Sequence, residues 1–366
     1  MYRGLYIHIP FCSSKCDYCD FYSFVPSKTE QDSYYSAVLS SLEQWGKRID
    51  GCFDTLYFGG GTPSFFGGER LAGIIKKARE CFDFADDTEI TVECNPSSSD
   101  LKLFELLSSA GVNRVSIGAQ SAVEEERRLL GRCSDSEQVK NAVRLARLAG
   151  INNISLDLML GIPDQTAESL DESLDFIIES GVLHVSAYML KVEPGTPLAE
   201  RRKSLNLPDE DEVCDLYHRA VTRLEKAGLF QYEISNFAAK GFESRHNLKY
   251  WNCEEYLGIG PAAHSFIGGR RFYYERNIHA FIGRNEPIDD GRGGDEEEYV
   301  MLRLRLKKGL VNGEYRERFK KDIPQIYRDR ARELERLGLV TVTDEALRLT
   351  ESGFLLSNSV IGLMLS

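Results

Sequence analysis

The sequence Cys12-Ser-Ser-Lys-Cys16-Asp-Tyr-Cys19 directly follows an apolar run over residues 4–11. That run predicts a buried strand, which would deliver the loop of three cysteines, spaced C-x3-C-x2-C, to one end of a sheet. Such short spacing lets one loop supply thiolates to a single four-iron cluster, and three thiolates leave one iron open. An open iron can chelate a small molecule through amino and carboxylate groups. A zinc site usually shows two separated Cys/His pairs, and no second pair follows here.

The spacing of these cysteines, with the aromatic Tyr18 just before the last one, resembles the signature of the radical S-adenosylmethionine (SAM) superfamily. The resemblance implies that Cys12, Cys16 and Cys19 are the metal ligands of a [4Fe-4S] cluster. It also implies that SAM chelates the open iron and that an electron from the cluster breaks its sulfonium bond. Tyr18 would pack near the bound SAM.

Length, charge and cysteine usage restrict the class of protein. The 366 residues allow one barrel-sized domain plus a smaller one. A net charge of -12 argues mildly against general nucleic-acid or anionic-membrane binding. No apolar run reaches the length of a membrane span, and no signal-peptide pattern precedes the first strand. The odd total of nine cysteines therefore favours free thiols in a reducing cytoplasm.

Short apolar segments alternate with longer amphipathic ones through the first two thirds of the chain. Strands are predicted over residues 4–11, 54–59, 89–93, 114–119, 154–160 and 184–190. Helices are predicted over 33–45, 70–80, 101–110, 136–149, 167–180 and 210–227. Six β-then-α units imply a parallel sheet with right-handed crossovers, and a full barrel needs eight. We therefore expect an α/β fold with a partial (β/α)6 barrel, and a doubly wound sheet is the alternative.

Polar residues stand at the predicted carboxyl ends of these strands, where ligands gather in both architectures. The glycines of segment 59–62 would let the backbone approach a ligand closely, although glycine-rich loops are common. Glu93, Gln120 and Asp157 lie on three successive strands, and a structural role is open for each taken alone. Cys94 should face away from Glu93 because side chains alternate along a strand, so it is a poor fourth cluster ligand.

Together these motifs resemble the anaerobic coproporphyrinogen III oxidase-like family, over nearly the whole chain. The resemblance implies a radical-SAM barrel and a set of SAM-contacting positions. Carried over residue by residue, these are Tyr6, Tyr18, Gly60, Gly61, Thr62, Glu93, Gln120, Arg132 and Asp157.

Two departures point to one branch of that family, the heme chaperone HemW branch. True oxidases carry a fourth cysteine two residues after the third, where this chain has Phe21, and a long N-terminal extension that is missing here. The branch implies a chaperone that binds the cluster, SAM and heme and passes heme to an acceptor protein. The alternative is an enzyme, a coproporphyrinogen III oxidase or a related radical-SAM methyltransferase. Oxidase activity is not expected because of these two departures.

The segment His246-Asn-Leu-Lys-Tyr250-Trp251 places a histidine beside two large aromatics. An imidazole can ligate heme iron and aromatic faces suit a flat macrocycle, but the residues alone favour a packed histidine. The H-N-x-x-Y-W string resembles the motif linked to heme in the HemW branch, which implies His246 as the heme ligand. His264, in a glycine-rich loop, is the weaker second candidate.

Composition shifts at residues 289–298, which predict a glycine- and acid-rich linker. Beyond it, helices over 297–306, 316–322 and 326–337 and a hairpin over 338–350 resemble a winged helix. Because its basic residues are interspersed with acids, we interpret this domain as a packing or partner-contact unit that does not bind nucleic acid. Contact with a membrane is expected only through the heme acceptor. The predicted division is 1–237, 238–288 and 289–366.

Overall fold

Six parallel strands form the centre of the fold, as the alternating pattern predicts. The structure is a computed structural model that describes residues 2–284 and 286–366. Neighbouring strands pair in sequence order, which is the arrangement that successive β-then-α units produce. The strands are β1 (Arg3–Ile9), β2 (Cys52–Gly60), β3 (Asp83–Cys94), β4 (Arg114–Gln120), β5 (Asn153–Leu160) and β6 (His184–Met189).

Helices connect these strands and cover the outer face of the sheet. Polar caps fix where they begin: Ser27 and Glu30 form a capping box at α1, and Asp209 and Glu212 form another at α9. The helices are α1 (Lys28–Gly46), α2 (Pro63–Phe66), α3 (Gly68–Cys81), α4 (Leu101–Ser109), α5 (Glu124–Leu129), α6 (Ser136–Leu148), α7 (Ala167–Glu179), α8 (Pro197–Arg201) and α9 (Glu210–Lys226).

Each strand presents apolar side chains to the helices and polar ones to the interior of the curved sheet. On β1, Leu5, Ile7 and Ile9 are fully buried in the core, whereas Tyr6 and His8 alternate with them. The Sγ of Cys94 likewise lies in the apolar core, on the opposite face of β3 from Glu93. The interior of the partial barrel is therefore lined with polar and aromatic groups.

Residues that follow the barrel helices extend the same sheet at both of its edges. Strand β9 pairs in parallel with β1 and carries an antiparallel ribbon, and β8 pairs antiparallel with β6. The twelve strands run in the order β12-β11-β10-β9-β1-β2-β3-β4-β5-β6-β8-β7. The added elements are β7 (Phe230–Gln231), β8 (Asn236–Ala238), α10 (Arg245–Trp251), β9 (Tyr256–Ile259), β10 (His264–Ile267), β11 (Arg270–Tyr273), α11 (Ile278–Ile282) and β12 (Ile288–Arg292).

The linker predicted over residues 289–298 is wrong. Residues up to Arg292 belong to β12, because their backbone pairs with β11, and α12 begins at Glu296. The predicted boundaries at 237/238 and 288/289 fall inside β8 and β12, so the middle segment contributes strands to the main sheet. Acidic and glycine-rich composition does not distinguish a linker from an exposed edge strand such as β12.

A small C-terminal domain carries its own three-stranded sheet, in the order β13-β15-β14. The succession of a helix, a strand, two helices and a hairpin follows the winged-helix pattern that the sequence predicts. Its elements are α12 (Glu296–Arg303), β13 (Leu310–Val311), α13 (Asn312–Phe319), α14 (Gln325–Glu335), β14 (Val340–Val342), β15 (Ala346–Leu349), α15 (Glu351–Leu355) and α16 (Ser357–Leu365). Within the described parts of the chain, no helix is both long and apolar enough to span a membrane.

Candidate functional site

The loop of three cysteines leaves the carboxyl end of β1 and is closed at its neck by backbone pairing. Cys12 N–H donates to the Phe24 carbonyl at 3.0 Å, and Phe24 N–H donates to the Pro10 carbonyl at 3.0 Å. The rings of Phe11 and Phe24 pack edge to face at the base of the loop. Farther along the loop, Asp17 N–H donates to the Leu130 carbonyl. These contacts hold the loop over the open end of the barrel.

The three thiols of this loop lie within electrostatic range of one another. Burial raises the pKa of the Cys16 thiol, and the neighbouring thiols of Cys19 and Cys12 raise it further. Burial also raises the pKa of Cys19, whereas Lys15 and Arg132 lower it. The described residues contain no group of three His, Cys, Asp or Glu side chains arranged to hold a single metal ion. Three soft thiols on one loop, with two cations nearby, fit the ligand set of a cluster with one open iron.

His8, which the sequence analysis missed, anchors the far end of the cysteine loop. Its Nε2 hydrogen-bonds the Tyr22 carbonyl at 2.9 Å, and its Nδ1 hydrogen-bonds the Tyr6 hydroxyl at 3.0 Å. Burial lowers the pKa of His8 to about 4, so the ring is neutral near pH 7. The available signal was a polar residue in an otherwise apolar strand.

The glycines at the end of β2 pack where no side chain fits. Gly60 has φ +109°, and a Cβ there would lie 2.4 Å from the His8 ring. A Cβ on Gly61 would lie 2.8 Å from the Phe11 carbonyl oxygen, while its N–H donates to the Ile9 carbonyl at 2.8 Å. Thr62 Oγ1 donates to Cys12 Sγ at 3.4 Å. The glycine run therefore lies directly against the base of the cysteine loop.

Two half-buried carboxyl groups, those of Glu93 and Asp157, face the barrel interior below this loop. Glu93 accepts hydrogen bonds from the Tyr57 hydroxyl at 2.9 Å and from Gly60 N–H at 3.2 Å. Ser116 Oγ donates to Asp157 Oδ1 at 3.0 Å. Burial, reinforced by the nearby Asp157, raises the pKa of Glu93 to about 7, and burial raises that of Asp157 to about 6. Both groups can therefore exchange protons or accept a cationic ligand near neutral pH.

Gln120 and Arg132 complete this end of the barrel. Gln120 ends β4 with φ +66°, a left-handed conformation that is costly for a residue with a side chain. A Cβ on Gly118 would lie 2.7 Å from Arg132 Nη2 and 3.0 Å from Gln120 Nε2, so both side chains converge on that strand. Arg132 Nη2 also donates to the Tyr18 hydroxyl at 3.3 Å. Arg132 is therefore half-buried beside the cysteine loop.

His246 lies at the opposite end of the barrel, on helix α10, which closes the amino ends of the strands. Its Nδ1 hydrogen-bonds Thr55 Oγ1 and its Nε2 hydrogen-bonds the Tyr250 hydroxyl, each at 2.8 Å. Burial, followed by the positive charges of Lys249 and Arg114, lowers the pKa of His246 to about 3. Both ring nitrogens are engaged inside the protein, so ligation of heme iron requires at least one of these bonds to break. The assignment of His246 as heme ligand stays a prediction.

The carboxyl end of the barrel gathers most of the predicted SAM-contacting residues. Tyr6 lies somewhat deeper, with its ring centroid 6.2 Å from that of Tyr57. Carboxylates, an amide and exposed backbone of a glycine run suit a ligand with an amino group and ribose hydroxyls. The donor set therefore fits SAM. The residues brought together at this end are Tyr18, Gly60, Gly61, Thr62, Glu93, Gln120, Arg132 and Asp157, with Tyr6 below them.

Comparison with known proteins identifies the family. The family model of the Radical SAM superfamily matches residues 6–177, and that of the HemN C-terminal domain matches residues 296–356. The chain is 36% identical over 376 residues to the heme chaperone HemW of Mycobacterium tuberculosis, covering 99% of this chain and 94% of the relative. The chain belongs to the HemW family of radical SAM proteins. A second family member, the heme chaperone HemW of Bacillus subtilis, is 32% identical over 378 residues. The match covers 99% of this chain and 99% of that relative.

A solved structure supports the fold of this HemW family member. Coproporphyrinogen III oxidase (HemN) from Escherichia coli, described as a radical SAM enzyme, superimposes with a TM-score of 0.86. The match covers 100% of this chain and 90% of the oxidase at 23% sequence identity. At that identity the likeness concerns the fold, and it confirms the partial barrel with a small C-terminal domain that the sequence predicts.

Proposed function

We propose that this protein is a heme chaperone that holds a [4Fe-4S] cluster and SAM, binds heme and transfers it to an acceptor protein. The observation that carries the proposal is relatedness to curated heme chaperones over 99% of the chain. The absence of a fourth loop cysteine agrees with it, because Phe21 occupies that position and its ring is exposed. A cytoplasmic location and the absence of nucleic-acid partners remain predictions from composition.

In this proposal Cys12, Cys16 and Cys19 hold the cluster, which supplies an open iron and an electron when bound. The loop neck and His8 keep the thiols over the barrel. Glu93 accepts a hydrogen bond from the amino group of SAM, since its carboxylate is already fixed by Tyr57 and by Gly60 N–H. Gln120, Arg132 and Asp157 contact the remaining polar groups.

We propose His246 as the heme ligand, and His264 is the alternative candidate. The two differ in accessibility: His246 is 1% exposed, whereas His264 is exposed and stacks on the Tyr273 ring with centroids 5.2 Å apart. Iron ligation by His246 would release Tyr250 from its hydrogen bond. Ligation by His264 would need no change in the barrel interior.

One experiment decides between a carrier and an oxidase. Anaerobically reconstituted protein is titrated with heme and, separately, incubated with coproporphyrinogen III, SAM and a low-potential one-electron reductant. A carrier should take up heme, with a shifted Soret band, and leave coproporphyrinogen unchanged. His246→Ala and His264→Ala are titrated alongside, and the ligand is the residue whose loss changes the band. Conversion of coproporphyrinogen without heme uptake would replace the chaperone proposal with the oxidase.

A further inference from the structure

Asp17 stands at the tip of the cysteine loop, between the second and third cysteines, and is held there from three sides. Its N–H donates to the Leu130 carbonyl at 3.1 Å, and its carbonyl accepts from Leu198 N–H at 2.9 Å. Its carboxylate forms an ion pair with Arg201. The backbone and the side chain of this one residue therefore tie the loop tip to two segments that are distant in sequence.

Helix α8, which carries two of these partners, has anchors of its own. Thr196 caps it: the Oγ1 of Thr196 accepts from Ala199 N–H at 3.2 Å and donates to the Glu193 carbonyl at 2.7 Å. Pro197 occupies the first turn of the helix, and Leu198 is fully buried. The helix is thus a fixed support on which the loop tip is docked.

The segment that follows α5 contacts the loop tip from the other side. Gly131 has φ +70°, and a Cβ there would lie 2.7 Å from Asp17 Oδ1 and 3.0 Å from Asp17 N. Arg201 Nη2 also donates to the Leu129 carbonyl at 3.3 Å. A guanidinium has several donors in one plane, so the Arg201 side chain can hold the loop tip and this segment together.

The cysteine loop is held unevenly along its length. Residues 13–15, between the first two cysteines, are exposed. Tyr18, one residue after Asp17, packs against a small apolar cluster that is separate from the main core. Cys16 and Cys19 flank this anchored pair of residues. The positions of these two thiols therefore depend on the contacts made at the tip.

We propose that Asp17 and Arg201 are positioning residues of the cluster site, whose ion pair holds Cys16 and Cys19 in the geometry that the cluster needs. The inference rests on the proposed cluster site and adds two residues that do not ligate iron. A loop that is already in place binds without being ordered first, so the entropy cost of binding is smaller. Loss of the ion pair should therefore let the cluster leave faster and leave the global fold unchanged.

The test is the rate at which anaerobically reconstituted protein loses its visible absorption in the presence of an iron chelator. Arg201→Ala should lose the cluster about twofold to fivefold faster than wild type, the range expected for a partly exposed ion pair. Arg201→Lys keeps the charge and should lie between the two. Arg219→Ala is the matched control, because Arg219 is 44% exposed and pairs with Asp171, whereas Arg201 is 42% exposed. Its cluster should leave at the wild-type rate.

A double-mutant cycle shows whether the two residues act through their ion pair. Asp17→Ala should accelerate cluster loss about as much as Arg201→Ala, and the double variant should be no faster than either. Accelerations that multiply would overturn the inference, because the residues would then act separately. A wild-type rate in Arg201→Ala also overturns it, as does an equal acceleration in Arg219→Ala, since that is a general effect of losing an ion pair.

Hydrogen exchange on the full chain before reconstitution gives a readout that needs no iron. Amides of residues 12–22 should exchange about twofold to fivefold faster in Arg201→Ala than in wild type and at the wild-type rate in Arg219→Ala. Wild-type protein that takes up no four-iron cluster would remove the proposed cluster site. The exchange rates would still test whether Arg201 holds the loop tip.

Circular dichroism and urea denaturation first establish that each variant is folded. If Arg201→Ala does not fold, Arg201→Lys decides, and a wild-type rate of cluster loss in that variant overturns the inference.

Discussion

Glu89 and Glu93 lie on the same face of β3, yet the two ends of the barrel use them differently. At the amino end, Glu89 accepts hydrogen bonds from the backbone N–H groups of Arg245 and His246 at 3.1 and 3.0 Å, which caps helix α10. At the carboxyl end, Glu93 is held by Tyr57 and Gly60, and burial raises its pKa to about 7.

The other side chains at the two ends of the barrel differ in the same way as Glu89 and Glu93. At the amino end, Lys249 pairs with Asp54 and Glu254, and both nitrogens of His246 are bonded. At the carboxyl end, Gln120 adopts a strained backbone conformation, and the carboxyl groups of Glu93 and Asp157 have raised pKa values. Apart from His246, the proposed heme ligand, these groups at the amino end have structural partners, whereas the strained and titratable groups at the carboxyl end are typical of a ligand site.

The strongest test of the carboxyl end is loss of a cluster ligand. Cys16→Ala should abolish the brown chromophore and reduce iron from about four per chain to background, because two thiolates cannot hold the cluster. Cys94→Ala is the matched control, since its thiol packs in the core on the far face of β3, and its iron content should remain. Four irons retained in Cys16→Ala, measured after anaerobic reconstitution, would refute the assignment.

Removal of the Glu93 carboxylate should affect ligand binding and leave the fold intact. Glu93→Ala should weaken SAM binding about tenfold to hundredfold, since a charge-assisted hydrogen bond contributes about 1.5–3 kcal/mol. In the wild type, the carboxylate is present above about pH 7 and is lost as the pH falls, so affinity should fall with it. Calorimetry that finds equal affinity for Glu93→Ala and wild type would assign Glu93 to structure.

The matched change at the amino end, Glu89→Ala, should lower stability and leave SAM affinity nearly unchanged. Glu89→Ala leaves two backbone N–H groups of α10 without their acceptor, which should lower the free energy of unfolding by about 2 kcal/mol. SAM affinity of the folded fraction should stay within about twofold of wild type, since Glu89 lies far below the ligand end. Urea denaturation measures the first quantity and calorimetry the second. A large loss of SAM affinity with unchanged stability would reverse the roles of the two ends.

The smallest effect is expected from Tyr57→Phe. Tyr57 contacts both Glu93 at the carboxyl end and His246 at the amino end. The change removes one hydrogen bond to Glu93 but keeps the ring stacked on His246 at 5.1 Å between centroids. SAM affinity should fall by no more than about tenfold, as one hydrogen bond contributes about 0.5–1.5 kcal/mol. The pKa of Glu93 should rise further, because a bond that lowers it is lost. Infrared titration of Glu93 in Tyr57→Phe checks the direction.

Sequence reasoning was most successful where the signal is local. The six barrel strands, the loop of three cysteines and the polar residues at strand ends all follow from periodicity and spacing within short windows. The alternation rule was enough to place Glu93 in the interior and Cys94 in the core. The alternation rule could not decide the burial of His246, because the same local pattern fits an accessible iron ligand and a histidine packed in the interior.

The sequence by itself therefore determined the barrel core, its loop of three cysteines and the strand ends at which polar residues gather, since each depends on contacts between near neighbours in the chain. Only the tertiary structure decided that β9 adds to the edge of β1, that Glu89 caps α10 and that Arg201 pairs with Asp17. These features join residues that are far apart in sequence. Contacts between such residues do not appear as a periodic pattern of apolar residues in the sequence. The electrostatics of Glu93 arise in the same way, from charges that folding brings to one interior.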